Sequence, residues 1–295
     1  MTTAARLDAV ITYEPTAEQL THVVDQLLSL RGHAMVLDNS ESGPARERVR
    51  LACQSAGIPV VADGTNHGTA YGLNRALARA VDAGLPWLHY LDQDSVLLSG
   101  YVEALADLDT VDAHVGAVGA RFESSPHETV SAFPPGGVAL ALSPATFLIA
   151  SGTAFRTEAL LDCDGFDEGM FLDVVDHEIC LALRSRGWGL TVDSRRSMGH
   201  EIGSGGVTTV RNILVTRHPL WRRRQMWRNS VVLVGRYFRV APRDCVAHLA
   251  VRVVETTSGS WRYRSVGYLS AAIRGIGDAI RSRGPRRGRS SHLQG

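Results

Sequence analysis

Trp87-Leu88-His89-Tyr90-Leu91-Asp92-Gln93-Asp94-Ser95 is the segment from which the organisation of this chain can be worked out. Its first five residues predict a buried strand, and two carboxylates follow one residue apart where that strand ends. Ligands of an open α/β sheet bind beyond the carboxyl ends of the strands. Asp92 and Asp94 can therefore point at one hard cation, Mg²⁺ or Mn²⁺. Two solvated aspartates in a turn would have the same spacing, so the flanking sequence has to decide.

Strands and helices alternate before this segment. Residues 7–13, 34–37 and 58–62 predict strands, and each is followed by a predicted helix. Thr16 and Gln19 predict a capping box at the start of the first helix. Such alternation indicates a parallel, doubly wound sheet that binds a nucleotide at its strand ends.

The common phosphate-binding loops are missing from the sequence. The first strand is followed by Tyr13-Glu14-Pro15 instead of a glycine-rich turn, and the chain contains no lysine. A diphosphate bound at the strand ends would need another positive charge, which a metal ion on Asp92 and Asp94 would supply.

The pattern after residue 97 predicts a mixed sheet. Residues 115–122, 146–150 and 188–192 predict strands, and the small residues Ser151 and Gly152 predict a turn that lets a ligand approach the backbone. A helix is predicted from 175 to 186.

Two residues of this half are candidates for chemistry. Asp176 lies in the first turn of the predicted helix, where we expect it to stay ionised and to accept a proton. His200 follows a predicted loop. A lone histidine there is more often an ordinary loop or core residue, and it becomes a second metal ligand if the sheet brings it to Asp94.

Charge is distributed unevenly along the 295 residues. Residues 1–210 hold 13 arginines and 27 acidic residues, a net charge of −14, whereas residues 211–295 hold 18 arginines and three acidic residues, a net charge of +15. The basic part predicts an anionic surface as its partner. Its apolar residues recur at helical spacing beside tryptophans and arginines, which is typical of interfacial helices, although helices packed on the catalytic domain would show the same pattern.

Other features bound the class of protein. The four cysteines lie far apart, so neither a disulfide framework nor a zinc site is expected. The N-terminus lacks the apolar core of a signal peptide. Residues 130–155 carry no charge, but prolines interrupt them, so we expect no membrane span. We predict a catalytic domain over 1–210, a basic helical extension over 211–283 and a disordered tail over 284–295.

The order of these motifs resembles glycosyltransferase family 2, with the GT-A fold, and within it the bacterial rhamnosyltransferases. The resemblance extends from about residue 9 to residue 285. It is carried by Thr12-Tyr13-Glu14-Pro15, Asp38-Asn39-Ser40, Asn66-His67-Gly68, Asp92-Gln93-Asp94-Ser95, Ser151-Gly152, Gly165-Phe166-Asp167-Glu168, Asp173 to Glu178, and His200. The form Asp92-Gln93-Asp94-Ser95, with His218-Pro219-Leu220, Arg228-Asn229 and Arg274 to Asp278 in the tail, points to rhamnosyl transfer.

The resemblance implies a role for each candidate residue. Asp94 would bind the metal together with His200, Asp92 would face the ribose and the metal, and Asp176 would be the catalytic base. Asp38 would contact the nucleobase. The other residues implied to bind the nucleotide-sugar are Thr12, Tyr13, Glu14, Asn66, Gly68, Gln93, Ser151 and Gly152.

The implied activity is inverting, metal-dependent transfer of a sugar from a nucleotide-diphospho-sugar. The implied donor is dTDP-rhamnose, and the acceptor is a saccharide or lipid-linked saccharide of cell-surface polysaccharide or glycoconjugate synthesis. We expect a cytoplasmic protein that contacts the anionic inner face of the plasma membrane peripherally and binds no nucleic acid. A sugar nucleotidyltransferase is one alternative, and a non-enzymatic arginine-rich module that binds nucleic acid or membrane is another.

Overall fold

The structure is a computed structural model, and it describes residues 5–122, 142–200, 208–210, 213–215 and 217–282. The described residues up to His200 form one compact unit, and those from 208 onwards form a second.

A parallel sheet forms the first half of the first unit. Its strands are β1 (Arg6–Thr12), β2 (His33–Asp38), β3 (Val60–Val61) and β4 (Trp87–Asp92), in the order β3-β2-β1-β4. The connecting helices are α1 (Ala17–Leu30), α2 (Gly43–Ser55) and α3 (Thr69–Asp82). The predicted capping box of α1 is present, with Thr16 and Gln19 bonded to each other's backbone amides. Thr12 is in register with Asp38, and Ile11 is in register with Asp92. The carboxyl ends of β1, β2 and β4 therefore meet at one edge.

The second half of this unit makes the sheet mixed. Its strands are β5 (Ser95–Leu97), β6 (Val115–Phe122), β7 (Leu142–Ala145), β8 (Thr153–Arg156) and β9 (Gly189–His200). The order continues β4-β8-β6-β9-β5, with β7 also paired to β9, and β8 antiparallel to both its neighbours. The helices of this half are α4 (Tyr101–Leu105), α5 (Thr157–Asp162) and α6 (Val175–Ser185).

The predicted strand over 146–150 is wrong, because strands β7 and β8 flank these residues instead. The segment packs against α6: the Leu148 amide lies 3.3 Å from Cys180 Sγ, and the Phe147 ring lies 4.2 Å from the His177 ring. A short apolar run buried against a helix has the same periodicity as a buried strand, so the sequence could not separate the two.

The strand predicted over 188–192 is longer than expected. β9 continues through an irregularity between Asp193 and Ser197 as far as His200, so Met198 to His200 belong to this strand and do not follow a loop. Such a bulge bends a strand and keeps it within the sheet.

The second unit consists of a short hairpin and three helices. They are β10 (Thr208–Val210), β11 (Ile213–Val215), α7 (Leu220–Tyr237), α8 (Pro242–Arg262) and α9 (Gly267–Arg281). Trp227 Nε1 on α7 donates to Thr256 Oγ1 on α8 at 2.9 Å. The tail predicted to be disordered, 284–295, lies outside the described residues. Over the described part of the chain, each helix is too short or too polar to cross a bilayer.

Candidate active site

Asp38 ends β2 with one carboxylate oxygen fully engaged and the other without a partner. Oδ1 accepts from Thr12 Oγ1 at 3.0 Å and from the amide and hydroxyl of Ser40 at 3.1 and 2.6 Å. Oδ2 has no hydrogen-bond partner among the described residues, although Asp38 is only 4% exposed. A buried acceptor without a partner is costly, so this oxygen fits a ligand that supplies an N–H or O–H group.

A small pocket opens beside Asp38. It is lined in part by Asn39, His67, Tyr71 and Arg75. The His67 and Tyr71 rings are stacked with centroids 4.3 Å apart, and His67 Nε2 lies 2.8 Å from Asp63 Oδ2. An aromatic surface next to an unpaired acceptor suits a planar heterocycle.

Three residues that the resemblance assigned to donor binding are bonded within the chain. The Gln93 amide oxygen accepts from the Tyr13 backbone N–H at 2.8 Å. The Glu14 carboxylate accepts from the backbone amides of Glu41 and Ser42 at 2.9 and 2.7 Å. These contacts fix the loops after β1 and β2 at the sheet edge.

Gly68 sits where α3 meets the segment that leads into α6. Its φ is +83°, and a Cβ there would lie 2.4 Å from the Phe171 carbonyl oxygen, so no other residue fits. The Asn66 side chain supports the turn by accepting from the Gly68 amide at 3.0 Å. Asn74 on α3 donates to the Phe166 carbonyl at 2.9 Å and accepts from the Phe166 amide at 2.8 Å. Helix α3 therefore positions residues 166–171.

Three aspartates lie close enough to the buried hydroxyl of Tyr90 on β4 for their charges to act on it. This hydroxyl donates to Asp92 Oδ1. The pKa of Tyr90 is raised well above its ordinary value, first by burial and then by the charges of Asp92, Asp176 and Asp94. Asp92, Asp94 and Asp176 therefore all act electrostatically on one group near the carboxyl end of β4.

Asp176 lies in the first turn of α6 and is partly exposed. Burial, followed by the charges of Asp92 and Asp173, raises its pKa to about 7, against a hydrogen bond from the Ala150 backbone that lowers it. The sequence argument expected the helix N-terminus to keep this carboxylate ionised. The expectation was wrong in direction, because desolvation and neighbouring like charges outweigh the helix dipole. A carboxylate with a pKa near 7 is well matched to proton abstraction at neutral pH.

The turn at Ser151 and Gly152 supports Asp92. Ser151 Oγ accepts from the Asp92 amide at 3.0 Å and lies 2.7 Å from Ser95 Oγ. Gly152 has φ +76°, and a Cβ there would lie 2.2 Å from Met198 Sδ. The turn is therefore tightly enclosed.

A series of buried, hydrogen-bonded polar groups supports the same turn on its inner side. Tyr101 OH donates to the Gly152 carbonyl at 3.1 Å and lies 2.9 Å from His89 Nε2. His89 Nδ1 lies 2.8 Å from Asp8 Oδ1, which also accepts from Arg6 Nε at 2.9 Å. Interior polar groups that are bonded to one another restrict the geometry of the turn.

The residues present fit a divalent metal held jointly with a substrate. Among the described residues no group of three or more ligating side chains is present. Mg²⁺ is usually bound by one or two carboxylates plus substrate phosphate oxygens, and Asp92 and Asp94 provide such carboxylates. Strand β5 pairs with β9 so that Ser95 is opposite His200, which places the His200 backbone beside Asp94. The His200 side chain lies outside what the structure describes, and its role stays a prediction.

Sequence reasoning missed Tyr90, Asn74 and the role of Ser95. Tyr90 lies in an apolar segment of sequence, but a tyrosine two residues before an aspartate on a strand faces the same side as that aspartate. Asn74 is a fully buried polar residue inside a helix, and only its partners 92 residues away reveal its purpose.

Known proteins resemble this chain in sequence and in fold. No protein-family model matches it. The dTDP-rhamnosyl transferase RfbF of Shigella flexneri is 23% identical over 235 residues, which cover 76% of this chain and 78% of that protein. The fold is similar to that of mannosyltransferase PcManGT from Pyrobaculum calidifontis, solved in complex with GDP-Man and Mn²⁺. The two superpose with a TM-score of 0.55 at 15% identity, and the match covers 95% of this chain and 76% of the PcManGT chain. The chain resembles a rhamnosyltransferase in sequence and has the GT-A fold. The S. aureus TarS 1-349 structure in complex with UDP-GlcNAc agrees, with a TM-score of 0.56, 14% identity, and 94% of this chain and 81% of that chain covered.

The resemblance and the fold class predicted from the sequence are confirmed, and the relatives indicate a glycosyltransferase.

Proposed function

We propose that this chain is an inverting, metal-dependent glycosyltransferase that moves L-rhamnose from dTDP-rhamnose to a saccharide or lipid-linked saccharide. The proposal is supported mainly by one observation: the charges of Asp92, Asp94 and Asp176 all act on Tyr90, near the carboxyl edge of the parallel strands. The choice of donor is supported by the similarity to the dTDP-rhamnosyl transferase of Shigella flexneri.

The donor would be oriented by the edge of the sheet. Asp38 Oδ2 would accept the N–H of a thymine base lying in the pocket beside His67 and Tyr71. Asp92 and Asp94 would hold Mg²⁺ or Mn²⁺, with His200 as a further ligand. When bound, such an ion neutralises charge on a departing diphosphate.

Asp176 would activate the acceptor. As the acceptor oxygen bonds to the anomeric carbon, the bond from that carbon to the diphosphate oxygen breaks and the hydroxyl proton passes to the Asp176 carboxylate. A single displacement of this kind inverts the anomeric centre and needs one base and no covalent intermediate. General base catalysis of this type contributes about 10²–10⁴-fold to the rate.

A donor screen tests the proposal. The protein is mixed with Mn²⁺ and with dTDP-rhamnose, dTDP-glucose, UDP-GlcNAc or GDP-mannose, and thermal stabilisation and nucleoside diphosphate release are measured. We expect dTDP-rhamnose to give the largest effect on both. The matched control, Asp176→Asn, should keep the stabilisation and lose the release. A protein that none of these donors stabilises would contradict the proposal, and preference for another donor would replace rhamnose while keeping the reaction class.

A further inference from the structure

Helix α9 presents two different apolar faces. One face is buried within the second unit and carries Tyr268, Ala271, Ala272 and Ala279. A Cβ at Gly275 would lie 2.2 Å from the Arg224 carbonyl oxygen on α7, so the two helix backbones approach closely there. The orientation of α9 within its unit is therefore fixed.

The other face is an exposed apolar stripe. We call it the α9 stripe, and it consists of Val266, Leu269, Ile273, Ile276 and Ile280. These residues are spaced by three, four, three and four positions, so they lie on one side of the helix. Ile273 and Ile280 are 71% and 72% exposed, and Ile276 is partly buried. The stripe is about 21 Å long by the rise of an α-helix.

Large exposed apolar side chains are concentrated in this unit. Of the eighteen in the described part of the chain, twelve lie in residues 217–282. Trp261, just before the stripe at the end of α8, is 84% exposed. Singly scattered apolar residues need no explanation, but a continuous stripe that follows an exposed tryptophan in the chain indicates a surface that something covers.

Charge around the stripe selects the kind of partner. Residues 217–282 contain thirteen arginines and three acidic residues, a net charge of +10. Arg262, Arg264 and Arg274 are exposed and form no ion pair with any described residue. Four more arginines follow α9 in the sequence, at 283, 286, 287 and 289. A second copy of the chain would bring like charges together, and five side chains are far fewer than the roughly 20–30 residues that each partner of a stable dimer contributes.

We propose that the α9 stripe and Trp261 insert into the surface of an anionic lipid bilayer, with Arg262, Arg264 and Arg274 contacting the headgroups. Apolar burial and attraction to anionic lipid add together in such helices. Tryptophan favours the level of the headgroups, where its ring is partly buried and its N–H stays polar. This docking face extends the proposed function, since a lipid-linked acceptor lies in the same surface, but binding to lipid does not require transfer to occur.

Vesicle sedimentation of the full chain tests the docking face. The vesicles contain either phosphatidylcholine alone or equal parts phosphatidylcholine and phosphatidylglycerol. We expect the chain to bind the anionic vesicles only. The double variant Ile273→Ser/Ile280→Ser should bind them about tenfold or more weakly, because it removes two aliphatic side chains that would be buried in the bilayer. Arg262→Gln/Arg264→Gln should weaken binding about fivefold per arginine at low salt and less at high salt.

The matched control is Leu28→Ser/Leu51→Ser, which removes apolar residues that are 54% and 52% exposed in the first unit and should bind like the unmodified chain. Failure of the unmodified chain to bind anionic vesicles would overturn the proposal, and so would equal binding to both kinds of vesicle. A dimer in solution that Ile273→Ser/Ile280→Ser converts to monomer would assign the stripe to a second copy. A melting temperature lowered by that variant would assign it to packing within the chain. Nucleotide release without vesicles tests the proposed reaction separately.

Discussion

Replacing Asp176 with asparagine should make the protein more stable at alkaline pH while it removes the proposed base. The carboxylate has a pKa of about 7 in the folded chain, against an ordinary value of 3.8. Between these two pH values the folded state holds a proton that the unfolded state has released. The stability of the chain therefore falls as pH rises through this window, and the destabilisation is complete above pH of about 7.

The size of this effect follows from the pKa difference. Three pKa units correspond to about 4 kcal/mol. Because Asp176 is partly exposed, water screens its charge and reduces this effect. We expect Asp176→Asn to raise the free energy of unfolding by about 2 kcal/mol at pH of about 8. Near pH of about 4 the folded side chain is neutral in both proteins, so the gain should almost disappear.

Urea unfolding in the presence of EDTA, at the two pH values, measures the gain. EDTA removes divalent metal ions, so only the charges of the protein act on Asp176. Transfer activity of the unmodified chain should rise with pH as the proposed base loses its proton, with a midpoint below about 7 because a metal ion on Asp92 offsets one of the charges that raise the pKa of Asp176. If Asp176→Asn raised the free energy of unfolding equally at both pH values, the assigned pKa would be refuted. A variant no more stable than the parent at alkaline pH would refute it as well.

Three further substitutions test the rest of the site. Asp94→Ala should weaken Mn²⁺-dependent donor binding about tenfold or more, measured by titration calorimetry with and without Mn²⁺, and unchanged binding would remove this residue from the metal site. Asp38→Asn should weaken nucleoside diphosphate binding about tenfold by loss of a charged acceptor, and equal affinity would show that the base does not reach Asp38. Gly152→Ala, whose Cβ would lie 2.2 Å from Met198 Sδ, should lower the free energy of unfolding by about 2 kcal/mol or more. The control Gly84→Ala has a similar φ and no atom within 4 Å of its Cβ, so it should lower the free energy of unfolding by only about 1 kcal/mol.

The parallel half of the sheet was predictable because each of its signals is local. β1 and β4 each contain a short apolar run, Thr16 and Gln19 cap the first helix, and Asp92 is the last residue of its strand. The antiparallel half depends on contacts that are distant in sequence. Residues 146–150 look like a strand but pack on α6. Arg196 lies inside β9, fully buried, and donates to the Val118 carbonyl at 2.6 Å, so a polar residue marks the core where hydropathy indicates a loop.

In the candidate site, too, local features were predictable and features that depend on distant contacts were not. The identity of Asp92, Asp94 and Asp176 as candidates follows from their positions at element ends. The ionisation of Asp176 does not, because it is controlled by its burial and by Asp92, 84 residues away, which only the folded chain brings near. Position along the chain indicates only the helix dipole, which burial and like charges outweigh here.

The bonds between Asn74 and Phe166, and the close approach of Gly68 to Phe171, make α3 and residues 166–171 a single structural piece. An engineer who wishes to replace the segment ahead of Asp176 with that of a relative should therefore transplant α3 with it. A graft whose backbone path differs at position 166 would move these buried backbone groups away from the Asn74 carboxamide and would shift Asp176 relative to the sheet edge.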